Sequence, residues 1–211
     1  MKTSLMLCVA LCALSTGAFA AETPQAKKKA VAAKAKVGQE AAVKLTPYTQ
    51  YNEYFSVSLP DGWGMTPTGV SGEAQKVYGV QSFGLRTPDG VLTRISVDYY
   101  GPGNSMYGTF QSFVDTFSKP DPLLKIKDDK FSAVSNGKLA GRQTKEFEHQ
   151  TVEFQPPDAA APKRVPVKEA FIVVKGEQGF YTLRYYSTVE LFAKNLSLFE
   201  AVKKSFKPVQ K

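Results

Sequence analysis

Ala170-Phe-Ile-Val-Val-Lys-Gly-Glu-Gln-Gly-Phe-Tyr-Thr-Leu-Arg-Tyr185 is the stretch that decides the architecture. It holds two apolar runs about Gly176-Glu177. In each, the apolar residues fall on both parities: Ala170, Ile172 and Val174 against Phe171 and Val173, then Phe180 against Tyr181, Leu183 and Tyr185. Successive strand side chains point to opposite faces, so a strand wetted on one side alternates and a strand covered on both does not. The stretch therefore predicts a hairpin, Val165 to Lys175 with Gly179 to Ser187, that is buried above and below.

Two aromatic-striped segments supply the covers. Downstream, Ser187-Thr-Val-Glu190 matches a capping box, and Phe192, Leu196, Phe199, Val202 and Phe206 recur at helical steps before Pro208. Upstream, Gly101-Pro-Gly-Asn104 ends a strand and Ser105 is placed to cap a helix whose Phe110, Phe113, Val114 and Phe117 form one stripe, with Pro120 as its stop. Strands are predicted at Phe55 to Leu59, at about Lys76 to Arg86 and at Val91 to Tyr100, the last two joined by the turn Thr87-Pro-Asp-Gly90. A further run starts at Phe131 to Ser135, turns at Asn136-Gly137, and continues as a long strand from Gly141 to Phe154. Gln155 to Arg164, with its paired prolines, reads as a loop. Three strands and a helix followed by four strands and a helix give an α+β fold: a three-layer α/β/α sandwich with a central antiparallel sheet of about seven strands.

Phe55-Ser-Val-Ser-Leu-Pro-Asp-Gly-Trp63 resembles the opening strand and Pro-x-x-Trp signature of PsbP-like domains. Asn136-Gly-Lys-Leu-Ala-Gly-Arg142 ahead of a long strand, and the closing helix near Ser205-Phe206, are similar to the same PsbP-like and DcrB-like family. The resemblance spans about Tyr51 to Val209. It implies a seven-stranded antiparallel sheet between helical layers, and a binding role rather than catalysis. The lysine-rich N-terminal segment and the proline-bearing stretch at Gln155 to Arg164 depart from the family's short bacterial pattern.

Residues 1–20 read as a secretory signal peptide: Lys2 is its positive end, Leu5 to Leu14 its apolar run, and Ala18-Phe19-Ala20 its small-x-small cleavage site. Cys8 and Cys12 both lie inside it, so the processed chain is expected to carry no disulfide and no thiol ligand. Residues 21–45 are rich in Ala and Lys, without an aromatic residue, and read as a flexible tether. Lys27, Lys28, Lys29, Lys34 and Lys36 also make this segment a candidate electrostatic arm for an anionic membrane or cell-wall surface. Residues 46–211 form the domain. From Leu45 onward the chain has 20 lysines and arginines against 17 aspartates and glutamates, a near balance that points away from nucleic acid.

Candidate sites are few. His149 is the one histidine, and strand alternation places it opposite Glu146 and Glu148, so these groups do not converge on a metal. Glu146 and Glu148 share a face and have lysines nearby to pair with. Gly101-Pro-Gly-Asn-Ser105 lacks the lysine and spacing of a phosphate loop, and no Gly-x-Ser-x-Gly elbow occurs. No cofactor or metal is expected. Trp63, Tyr99, Tyr100 and Tyr107 form a candidate partner-binding patch, since such rings bury large area and keep a polar end. For Trp63 the family resemblance implies instead a plug under the sheet edge.

The expected function is that of an exported, non-enzymatic binding or assembly-assisting protein of the bacterial cell envelope, periplasmic or secreted, acting on other envelope proteins. The alternative is a small-ligand carrier or hydrolytic enzyme that uses a cleft between a helix and the sheet.

Overall fold

A computed structural model describes residues 44–69, 75–123 and 126–209. The signal peptide and nearly all of the tether, with Lys27, Lys28, Lys29, Lys34 and Lys36, lie outside the described residues. The elements are β1 (Leu45–Thr49), β2 (Phe55–Pro60), β3 (Gly64–Thr68), β4 (Val77–Arg86), β5 (Leu92–Tyr100), α1 (Phe110–Phe117), β6 (Lys130–Phe131) and β7 (Ser135–Leu139). They continue with β8 (Arg142–Gln155), β9 (Lys163–Lys175), β10 (Phe180–Thr188), α2 (Val189–Lys194), α3 (Leu196–Ser205) and β11 (Lys207–Pro208).

The main sheet runs β3-β4-β5-β10-β9-β8, and both β6 and β7 pair with the outer side of β8. Eight strands thus fill seven positions, and every ladder is antiparallel. The decisive hairpin stands as read, with Leu183 opposite Ile172 and Tyr185 opposite Ala170. One face carries Ile95, Val97, Ile172, Val174, Leu183 and Tyr185 into a core shared with Phe55, Leu59, Phe199 and Val202. The other carries Tyr100, Phe171, Val173 and Phe180 against Phe113 and Val114 of α1. The fold is a layered α+β structure around an antiparallel sheet.

One outer layer differs in kind from the expectation. The predicted first strand is not part of the central sheet: β2 lies between β1 and β11 in a separate three-stranded sheet, which shares its side of the molecule with α2 and α3. Phe55 and Leu59 are fully enclosed there, so their alternation did report a half-buried strand.

Local signals were displaced at three points. Thr109, not Ser105, caps α1, its hydroxyl accepting from the Ser112 N–H at 3.0 Å. The turn before β8 is Ala140-Gly141, both at positive φ (49° and 77°), as a tight hairpin turn of that hand requires. Asn136-Gly137 is instead inside β7, where a Cβ on Gly137 would come within 2.6 Å of Glu146 Oε1. The closing helix breaks at Asn195, and Phe206 leaves it in extended conformation to pack on Phe55 and Tyr181.

At its start the N-cap is Thr188, whose hydroxyl accepts from the Leu191 N–H, while Ser187 is buried against the Thr93 hydroxyl at 3.0 Å. The capping box shifts by one residue, so Glu190 cannot return to the cap. Thr188→Ala is expected to cost about 1 kcal/mol in urea unfolding, because one helix-end N–H loses its acceptor.

Candidate functional site

Tyr99 and Tyr100 are neighbours on β5 and therefore face opposite layers; both are buried. Tyr99 stacks on Tyr54 at 4.4 Å, whereas Tyr100 stacks on Phe180 at 4.7 Å on the α1 side. Tyr107 packs on Tyr100 and Phe113 at 5.6 and 4.9 Å. Trp63 is half-buried against the opposite core, its indole lying over Gly84 of β4. The four rings do not make one surface.

The α1 face holds a set of groups that sequence reading passed over. Asp98 on β5, Arg184 on β10 and Glu169 on β9 all point to that side, and Arg184 Nη1 lies 3.8 Å from Glu169 Oε1. Asp98 accepts from the Thr68 hydroxyl at 2.8 Å and leans over β4 at Gly79, where a Cβ would approach its Oδ1 to 2.2 Å. Burial raises the Asp98 carboxyl above the usual carboxylate range, with Arg184 and Thr68 opposing it. Burial likewise raises Glu169, against Arg184, Arg94 and His149. Burial works against the Arg184 charge, but Glu169 and Asp98 together hold its guanidinium above the ordinary value.

His149 continues this row. It sits opposite Glu169 in the ladder, stacks on Phe131 at 4.3 Å and has Nε2 3.5 Å from Asp129 Oδ2. Farther along, the Arg94 guanidinium lies 4.1 Å over the Tyr186 ring, whose hydroxyl donates to Glu153. The row crosses four strands of the sheet, its charged members Asp98, Arg184 and Glu169 lying on three of them. Its sequence signal was available: Asp98, Arg184 and Glu169 are charged residues inside strands whose neighbours are apolar on both parities.

Two open clefts lie on the opposite side of the sheet. The first, about 310 Å³, runs between α3 and β8–β9 with Ala170, Ile172 and Phe199 as its floor and Leu196 on its rim. Glu146 and Glu148 face it together, as their spacing predicts. Glu148 pairs with Lys168 at 2.8 Å, Glu146 accepts from the Thr144 hydroxyl at 2.9 Å, and Glu200 pairs with Lys203 at 2.7 Å. The second, about 340 Å³, lies between β1 and β3 and is lined by Tyr48, Tyr51, Asn52, Pro67, Thr68 and Tyr78. Among the described residues no group of three or more His, Cys, Asp and Glu side chains is arranged to hold a metal ion, and no helix is long and apolar enough to cross a membrane.

No protein-family model matches the chain, and no curated protein matches it in sequence. Solved structures do. The solution structure of a cyanobacterial PsbP from Synechocystis sp. PCC 6803 superposes with a TM-score of 0.50 at 16% identity, over 82% of this chain and 96% of that one. The fold is PsbP-like. Weaker likenesses reach a protein of Bacteroides thetaiotaomicron (TM-score 0.45, 10% identity, 78% of this chain and 48% of that chain) and LpqN, involved in cell envelope biogenesis of Mycobacterium tuberculosis (0.43, 10%, 79% and 91%). Within the PsbP-like fold of this chain, the Phe55 to Trp63 stretch supplies the central strand of the outer three-stranded sheet and the indole that abuts β4. The closing helix is the other half of the same layer.

Proposed function

We propose that the chain is an extracytoplasmic binding protein of the bacterial cell envelope, acting by contact with partner proteins and not by catalysis. The observation that supports this reading is how its charged groups are distributed. The carboxyls that burial raises, Asp98 and Glu169, are drawn inward and matched to Arg184, where they tie strands together. Of the carboxylates at the helix–sheet cleft, Glu148 and Glu200 are held in ion pairs beside an apolar floor, an arrangement suited to seating a side chain more than to moving a proton. The signal-like residues 1–20 support export, and the lysine-rich segment supports a role in reaching an anionic surface.

A photo-crosslinking amino acid in place of Leu196, on the cleft rim, is expected to give a discrete light-dependent adduct in intact cells. The same group in place of exposed Asp158 is expected to give none. A second reading is favoured by the cleft's size, which falls at the lower end of the roughly 300–1,000 Å³ of ligand pockets: a small-ligand carrier. Absence of an adduct at position 196, with a small molecule co-purifying in equimolar amount, would replace the first reading by the second.

A further inference from the structure

We propose that the cleft between β1 and β3 is a docking groove for an uncharged, proline-rich segment of a partner protein, bound as an extended polyproline helix. It is separate from the helix–sheet cleft, with which it shares no lining residue.

The backbone of its walls comes first. Among the described residues β1 pairs only with β2 and β3 only with β4, so each presents an open edge to the cleft region. An open edge ordinarily invites another strand. Here both edges carry a proline in register with the inner neighbour, Pro47 opposite Ser58 and Pro67 opposite Val80. Proline is accommodated in a strand where its nitrogen faces away from the ladder, so each removes a donor from the open side. A ligand that recruits a continuous ladder is therefore disfavoured, and recognition falls to side chains.

The lining is of one character. Tyr48 and Tyr51 supply aromatic rings, Pro67 an apolar wall, and Asn52, Thr68 and Tyr78 complete it, the Thr68 hydroxyl being turned to Asp98; none of the six is ionised at neutral pH. Burial raises the Tyr48 hydroxyl, which keeps it a neutral donor. A charged segment would give up hydration here with no opposite charge among the described lining residues to receive it. A polyproline helix has no internal hydrogen bonds, so its carbonyls accept from the Tyr48 and Tyr51 hydroxyls while its rings lie on the Tyr51 face.

The groove is also held in shape before any ligand arrives. Tyr54 stacks on Tyr99 at 4.4 Å and packs at a tilt on Tyr78 at 4.8 Å, and Tyr99 packs at a tilt on Tyr181 at 4.9 Å, which braces the floor. Buried Gln50 accepts at Oε1 from the backbone N–H of Asn52 (2.8 Å) and of Tyr54 (3.4 Å), fixing the turn that presents Tyr51. Tyr51 is 91% exposed at the lip, so its ring is available to a ligand and its removal leaves the core untouched. Preorganisation of this kind lowers the ordering cost of binding.

The test is an amide chemical-shift titration of the full chain with acetylated decaproline amide. Saturable shifts are expected at Tyr48, Asn52, Thr68, Gly69 and Gly79. Tyr51→Ala is expected to weaken binding about tenfold or more with the rest of the spectrum unchanged. Leu196→Ala is expected to leave it as it was, since that residue belongs to the other cleft. The proposal is overturned if decaproline moves none of these amides, or if Tyr51→Ala binds it as well as the parent chain. It is also overturned if chitotetraose, a neutral glycan, shifts the same amides while decaproline does not.

Discussion

Arg184→Met is expected to destabilise the domain by about 3 kcal/mol, the lower end of the range for removing one member of a buried ion pair. The substitution keeps much of the aliphatic stem but leaves Asp98 and Glu169 inside without the guanidinium that both depend on. The side chains of Arg184 and Glu169 are not fully sealed, being 20% and 15% exposed, so solvent softens the loss at that pair, while Asp98 stays buried. Urea unfolding followed by tyrosine fluorescence measures it.

The pH dependence of that loss has a definite sign. Both carboxyls bind a proton more tightly in the folded chain than in the unfolded one. Ionised, they cost stability above their raised values; that cost is relieved as pH falls through those values toward the ordinary carboxylate range near about 4. Removing Arg184 lifts them further. The deficit of Arg184→Met should therefore be largest at neutral pH and shrink on acidification. A deficit that grows with acid would show that the two carboxyls take their stabilisation from something other than Arg184.

Phe113→Ala is expected to cost about 3–5 kcal/mol, as for other fully enclosed phenylalanines. Phe113 is 0% exposed and contacts Tyr100, Tyr107, Phe117 and Phe180 at ring distances of 5.5, 4.9, 4.5 and 5.6 Å. The consequence reaches beyond one cavity. α1 has eight residues, too few to hold a helix without tertiary support, so it owes its existence to this stripe. Amide exchange in Phe110–Phe117 should accelerate in the variant while that of β9 and β10 changes less. Equal acceleration throughout would mean that α1 and the sheet unfold as one unit.

The legible parts of the fold were those written in large apolar residues. Ala170 to Val174 and Phe180 to Tyr185 declared a strand pair covered on both sides, and Phe113, Val114, Phe199 and Val202 declared the covers. What escaped was written in residues that bury little. β1 and β3 read Leu-Thr-Pro-Tyr-Thr and Gly-Met-Thr-Pro-Thr, mostly exposed edge strands with no alternation to find, and β11 has only two residues. Asn136-Gly137 looked like a turn because that pair often is one; here the missing side chain makes room for Glu146 and Thr144 from the neighbouring strand.

The candidate site divides along the same line. Alternation alone separates Tyr99 from Tyr100, and it correctly set His149 apart from Glu146 and Glu148. It cannot bring Asp98, Arg184 and Glu169 together, because that requires the order β5-β10-β9, which joins segments far apart in the chain. The tyrosine-lined cleft is hidden for the same reason: Tyr48, Tyr51 and Tyr78 meet only once the small sheet is laid over the large one.

The three-stranded sheet has a mechanical consequence. Leu45 pairs at the Pro60 end of β2 and Pro208 at the Phe55 end, so the two ends of the described chain leave along opposite directions of one strand axis. Tension applied to them would slide β1 and β11 in opposite senses past β2, straining their hydrogen bonds collectively and not opening them one after another. Such a geometry resists being pulled apart, and a protein anchored at one end and loaded at the other would meet its first resistance there.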